Sequence, residues 1–232
     1  MALEDFWLDD PRLPEVNEHP RVIRSLLQAV ATKHQPTYVH LRRVARLMES
    51  LARWMDLPRS TVGLATYAGL LHDVGKVAIA DEILTKPGAL TDQEARIMMT
   101  HAVEGAEILK RWYGIGDLSR AVRHHHEWWN GRGYPAGIAG NEIPLLARMI
   151  SIADAFDTMT TPRHYRQAMS VQSAVAELRS CSGSQFDPRL VADFTAMVQA
   201  AGEKGETWAV RRADTSAATS EEVEPLAKRI QR

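Results

Sequence analysis

The stretch STVGLATYAGLLHDVGK, residues 60–76, sets the fold class. It is apolar along most of its length, with spacings of three and four, and reads as a helix over 60–73. That helix delivers His72 and Asp73 at its end. Adjacent helical residues point about 100° apart, so both reach one metal cluster only near the helix end, or if Asp73 bridges two ions. A lone His-Asp pair reads equally well as a helix C-terminal histidine with a capping aspartate. The Val-Gly-Lys that follows makes the pair more specific.

The same periodicity runs through the rest of the chain, and no convincing run of alternating strand residues interrupts it. An all-α architecture is expected, with helices near 20–33, 37–55, 60–73, 91–112, 117–127, 144–160, 170–181 and 187–201. Thr91 to Glu94 has the form of a capping box. Asp187-Pro188 suits an N-cap followed by proline in the first turn. Two long turns remain, 76–90 and 130–144, and turns of that length in a compact domain are often functional. The expected division is an N-terminal arm and leading helix over 1–35, a main helical domain over 36–204, and a polar tail over 205–232 without fixed structure.

With 232 residues, 45% of them hydrophobic and 25% charged, the chain can bury a real core. A formal net charge of -1 supplies no global field to draw in DNA or an acidic membrane, so an anionic ligand must be held by local charge. The single cysteine, Cys181, excludes an intramolecular disulfide and a thiolate metal site. The acidic start MALEDFWLDDPRLPE is no signal peptide, and no window approaches 18 consecutive apolar residues. A cytoplasmic protein without membrane insertion is expected.

Histidines and carboxylates then fall into a pattern. His40 lies four residues before Val44 on the stripe Val44, Leu47, Leu51, Trp54, and so faces inward. His101 opens HAVEG, in which Gly105 lets a neighbour approach closely. The run RHHHEWWNGRGYP (123–135) supplies His125 and His126 beside a glycine-rich turn. In MISIADAFDTM (149–159), Asp154 sits on the inward stripe with Asp157 three residues on. A carboxylate there is costly unless a metal or a basic partner receives it. His19, His34, His124 and His164 are read as surface or supporting residues. The selected set, His40, His72, Asp73, His101, His125, His126 and Asp154, holds five imidazoles and two carboxylates, too many for one ion.

In the order HDVGK (72–76), HAVEG (101–105), HHEWWNGRGYP (125–135) and IADAFDTMTTPRHYR (152–166), these motifs resemble the HD-GYP branch of the HD-domain phosphohydrolases, bacterial phosphodiesterases that hydrolyse cyclic di-GMP. The likeness covers about residues 36 to 200. It implies an HD-domain helical bundle with the HD-GYP extension. By position, His40, His72, Asp73 and Asp154 hold one ion, and Asp73, His101, His125 and His126 the other. Nitrogen and oxygen donors without thiolate favour iron or manganese, with nickel, cobalt or zinc as further options. Two such ions lower the pKa of a bridging water and clamp the entering and leaving oxygens of a phosphodiester displacement.

The resemblance further makes Lys76 a catalytic group, beside the bridging Asp73, that stabilises the developing charge or protonates the leaving 3′-oxygen. It puts Arg163 and Arg166 on the phosphates and Asp157 on the substrate side. Tyr134 either lines the guanine pocket or packs on its own loop, and Trp128 and Trp129 read as core.

Two departures stand out. Asn130 replaces the usual aspartate before the first glycine of the loop, keeping the turn-forming ability but losing the charge. Arg132 replaces a small polar residue and adds a cation at the pocket mouth. Three-metal members also carry a glutamate one helical turn before the first ligand histidine, where this chain has Pro36. Two ions per chain and pGpG as the main product are therefore expected. The alternatives are an HD phosphohydrolase acting on another cyclic dinucleotide or nucleotide, and a non-catalytic HD-GYP signalling or scaffold module. A homodimer and a separate signalling partner stay open.

Overall fold

The computed structural model describes residues 20–111, 116–162 and 167–203. Ten α-helices follow one another there: α1 (Pro20–Lys33), α2 (Gln35–Trp54), α3 (Arg59–Leu71), α4 (Asp81–Leu84), α5 (Asp92–Met99), α6 (His101–Lys110), α7 (Gly116–His124), α8 (Leu145–Thr160), α9 (Val171–Ser180) and α10 (Pro188–Glu203). Two 3-10 turns, Val74–Ala78 and Gly140–Glu142, lie between them. Among the described residues there is no strand, only an isolated bridge between Ser182 and Phe186. The all-α expectation holds.

The helix α3 is the axis of the bundle. Its residues Val62, Ala65, Tyr67, Ala68, Leu70 and Leu71 are all buried, as expected of a helix apolar on most of its circumference. It packs on α2, whose stripe Leu41, Val44, Met48 and Leu51 is buried in the same core. A Cβ on Gly69 would stand 2.6 Å from the Cα of Ala45, so glycine is what lets the two backbones approach. Trp54, at the end of that stripe, is 46% exposed. Ile23, Leu27 and Val30 pin α1 to the same core. On the other side α8 packs against α2, and Phe156 meets Phe194 of α10 edge-on at 5.2 Å.

The helix expected over 91–112 is two helices that meet at Thr100. Its N–H and its hydroxyl both donate to the carbonyl of Ile97, at 3.1 and 2.8 Å, which ends α5 and re-aims the chain into α6. The capping box at Thr91 and Glu94 is present. Pro36 lies in the first turn of α2. The long turn 76–90 contains α4, which pairs with α1 through Lys33 and Asp81 at 2.9 Å. The arm 1–19 and the tail 205–232 lie outside the described residues. No described helix is long and apolar enough to cross a membrane.

Candidate metal centre

The cluster is built where helices end. Helix α3 stops at Leu71, His72 is its C-cap, and Asp73 starts the 3-10 turn, so the two neighbours reach one locus. His101 is the first residue of α6, and α7 stops at His124, leaving His125 and His126 in the turn that follows. Only His40 and Asp154 are presented from within helices, α2 and α8.

Two groups of donor atoms lie within 4.8 Å of one another: His40, His72 and Asp73, and Asp73, His101, His125 and His126. Asp73 is common to both. Asp154 stands beside the first group, with Oδ1 3.1 Å from His40 Nε2. Asp73 Oδ1 lies 3.1 Å from His101 Nε2, and its Oδ2 accepts from Lys76 Nζ at 2.5 Å and lies 3.5 Å from His72 Nε2. Burial alone would raise this carboxyl, but Lys76, His72 and His101 hold it well below the usual carboxylate range.

The ring orientations fit a cation. His72, His101 and His125 each donate Nδ1–H to the carbonyl three residues back, Gly69, Met98 and Val122, at 2.9, 2.6 and 2.6 Å. A neutral imidazole so tied presents the lone pair of Nε2. His101 Nε2 then faces His125 Nε2 at 3.4 Å and His126 Nε2 at 3.2 Å. His72 Nε2 is buried without any hydrogen bond. Lone pairs converging in a buried site repel unless a cation lies between them, so these residues suit a metal. Burial and the neighbouring imidazoles push His125 well below its ordinary value, and His126 to about 3, which keeps them free to ligate.

His40 differs from the other histidines. Its Nδ1 donates to Asp157 Oδ2 at 2.7 Å, and Arg43 donates through Nε and Nη2 to the two oxygens of Asp157, at 2.5 and 2.8 Å. Burial disfavours charge on His40, yet its bonds to Asp154 and Asp157 raise it to about 9, so a metal bound at Nε2 would have to displace a proton there. Asp157, expected on the substrate side, is buried with both oxygens occupied by these partners. Its position is corrected: it braces a candidate ligand. Arg43 is the basic partner that the stripe required, and its signal was in the spacing. His40 and Arg43 on α2, and Asp154 and Asp157 on α8, share an offset of three on packed helices.

The loop 130–144 meets the cluster at Gly133 and Tyr134. A Cβ on Gly133 would overlap the His126 carbonyl and the Trp128 amide, so the chain can pass there only as glycine. Tyr134 donates its N–H to the His126 carbonyl at 3.2 Å and stacks its ring on that imidazole at 4.8 Å. Glu127, not singled out from the sequence, is buried and accepts from the N–H groups of Ala136 and Gly137 at 2.7 and 3.0 Å. Asn130 Oδ1 accepts the Arg132 N–H at 3.1 Å, the turn expected of it, and the Arg132 side chain is exposed. Trp128 and Trp129 are half-buried rather than core, and Arg148 lies over the Trp129 ring while bonding Asp187 at 2.6 Å.

His34 occupies the N-cap position of α2 without a side-chain bond to the helix amides, its Nδ1 lying 2.8 Å from the Thr37 hydroxyl; burial and then the charge of Lys76 lower its pKa. Arg163 and Arg166, with His19 and His164, lie outside the described residues.

An all-helical scaffold that gathers histidines and aspartates from separate helix ends around one shared carboxylate defines a class, the helical metal-centre proteins organised by a His-Asp pair. The chain belongs to the HD domain family, whose model matches residues 24–190. It is 40% identical over 188 residues to a cyclic di-GMP phosphodiesterase of Pseudomonas aeruginosa, covering 81% of this chain and 44% of that protein. It is 37% identical over 182 residues to the cyclic di-GMP phosphodiesterase response regulator RpfG of Xanthomonas campestris, covering 76% and 48%. A 3'3'-cGAMP-specific phosphodiesterase of Vibrio cholerae is 38% identical over 172 residues, covering 73% and 33%. The chain thus spans half or less of the length of these relatives.

Among solved structures, a cyclic GMP-AMP specific phosphodiesterase of V. cholerae superposes with a TM-score of 0.60 at 20% identity, over 77% of this chain and 48% of that one. The HD domain of the phosphodiesterase PgpH of L. monocytogenes does so with a TM-score of 0.54 at 17% identity, over 77% and 97%. These two show the fold. The resemblance to the HD-GYP phosphodiesterases is borne out by the curated relatives.

Proposed function

We propose that this chain is a metal-dependent phosphodiesterase that hydrolyses cyclic di-GMP, mainly to pGpG. The observation that carries the reading is the sharing of Asp73 between two donor groups, His40–His72 and His101–His125–His126. A carboxylate placed between two sets of imidazoles suits a pair of ions. Asp154 completes the first set, which gives all seven residues a role. The donors are nitrogen and oxygen, and Cys181 is buried outside both groups, so iron or manganese suits the centre best. A cytoplasmic setting suits such a thiolate-free centre and its dinucleotide substrate.

A pair of such ions supplies Lewis acidity and a water of lowered pKa at the scissile phosphate. The protein's own part is positioning and charge. Lys76, half-buried at the edge of the cluster, turns from Asp73 to the phosphate as negative charge develops there, and donates a proton toward the leaving 3′-oxygen. Arg163 and Arg166 grip the phosphates, and their loss raises KM more than it lowers kcat. Tyr134, stacked on His126, brings the loop to the cluster, and the exposed Arg132 two residues before it adds a cation for an anionic substrate.

Product analysis after incubation of cyclic di-GMP with anaerobically prepared iron- or manganese-loaded protein tests the reading. Accumulation of pGpG is expected. The relatives named for 3'3'-cGAMP favour a second arm with that dinucleotide. Faster turnover of 3'3'-cGAMP would move the base specificity, and hydrolysis of neither would leave a binding module.

A further inference from the structure

We infer that the Arg43–Asp157 pair is a positioning device for one metal position alone, so that the two ions bind with separately set affinities. The inference rests on the metal-centre reading above. Its basis is the contrast in how the rings are held. His72, His101 and His125 donate Nδ1–H to backbone carbonyls three residues back in their own segment. Local backbone geometry fixes those rings wherever the helix end goes. His126 is braced by the stacked ring of Tyr134. His40 sits within α2, where the carbonyls of the helix are already taken by helical bonds, and its Nδ1 bonds to a side chain of another helix, Asp157 at 2.7 Å.

The carboxylate is itself fixed. Arg43 engages both of its oxygens at 2.5 and 2.8 Å, and Asp157 itself is only 4% exposed. Such a fork-to-carboxylate bond leaves little rotational freedom. The chain Arg43, Asp157, His40 therefore ends with the Nε2 of His40 aimed at Asp154 and at the group containing His72 and Asp73. A carboxylate acceptor makes an imidazole a better donor to a metal than a carbonyl acceptor does, and losing such a partner costs about 10 to 100-fold in metal affinity. His101 and His125 bond the carbonyls of Met98 and Val122, and His101 faces His125 and His126, so Arg43 and Asp157 reach the first position through His40 and the second only by way of the shared Asp73.

The test compares wild type with Asp157→Asn and Arg43→Gln, loaded anaerobically with manganese. Metal per chain is read by elemental analysis and the affinities by chelator competition, with thermal melts and circular dichroism alongside. Wild type must first hold two ions; if it does not, the metal-centre reading fails rather than this one. Asp157→Asn is expected to lose affinity at one ion by about 10 to 100-fold and keep the other unchanged. Arg43→Gln, which leaves the bond from Asp157 to His40 in place, is expected to show a smaller loss at the same ion. It decides the question should the Asp157 variant fail to fold. Two ions held as in wild type by both variants, or equal weakening of both ions in a folded variant, would overturn the inference.

Discussion

Gly75 and Gly105 meet backbone to backbone: a Cβ on Gly105 would lie 3.1 Å from the amide nitrogen of Gly75, and one on Gly75 would overlap the His101 carbonyl and the Gly105 amide. This contact carries the 3-10 turn that follows Asp73 onto the first turn of α6, where His101 begins. The cluster spans that same junction, with Asp73 Oδ1 3.1 Å from His101 Nε2.

Gly75→Ala is therefore expected to separate the two halves of the centre. Overpacking in a close-packed interior costs about 1–3 kcal/mol, and here the obstacle is backbone that cannot rotate away. A lowered melting temperature together with reduced metal content checks it. A variant that melts and binds metal like wild type would show that the glycine contact does not set the geometry.

Lys76→Ala should keep its metal and lose turnover. The ammonium bonds Asp73 in the structure, but its charge matters most when the phosphate becomes more negative, so kcat falls by about 10²–10³ with little change in KM. Metal content measured beside steady-state kinetics separates this from damage to the cluster. Unchanged kcat would remove Lys76 from the mechanism.

Glu127→Gln should loosen the loop that carries Tyr134. One carboxylate accepts two backbone N–H groups, Ala136 and Gly137; an amide can accept only one and turns a donor toward the other. A fully buried unmatched donor would cost about 1–3 kcal/mol, and the exposure of Ala136 and Gly137 puts the cost here below that. The expected signs are faster hydrogen exchange at residues 136 and 137 and a raised KM, with metal content unchanged. Wild-type exchange rates there would show that the loop is held by other contacts.

The helices and the candidate ligands were legible because both follow local periodicity. The stripe through Val44 and Leu51 put His40 inward, and the end of α3 put His72 and Asp73 at one locus. What sequence reasoning missed lies between segments. Asp157 was expected on the substrate side because nothing local shows that α2 supplies Arg43 from 114 residues away. The break at Thr100 was hidden by an apolar pattern that continues from α5 into α6. Glu127 was visible only as a carboxylate among histidines, since its partners are backbone amides of a loop. Trp128 and Trp129 look like core by composition, yet their segment is a turn clamped to the chain after α9 by bonds from Trp129 to Gln185 and from Asn130 to Ser184.

In the proposed function one Asp73-centred cluster both holds the metals and performs the cleavage. The most direct measurement is metal per chain beside the chromatographic product profile from cyclic di-GMP, for wild type and for the double variant His72→Ala, Asp73→Ala. Two ions per wild-type chain with pGpG accumulating, and neither metal nor hydrolysis in a folded double variant, is the predicted result. A double variant that kept its metal and hydrolysed cyclic di-GMP at the wild-type rate would contradict it; three tightly held ions with rapid conversion to GMP would contradict the two-ion centre inferred from Pro36.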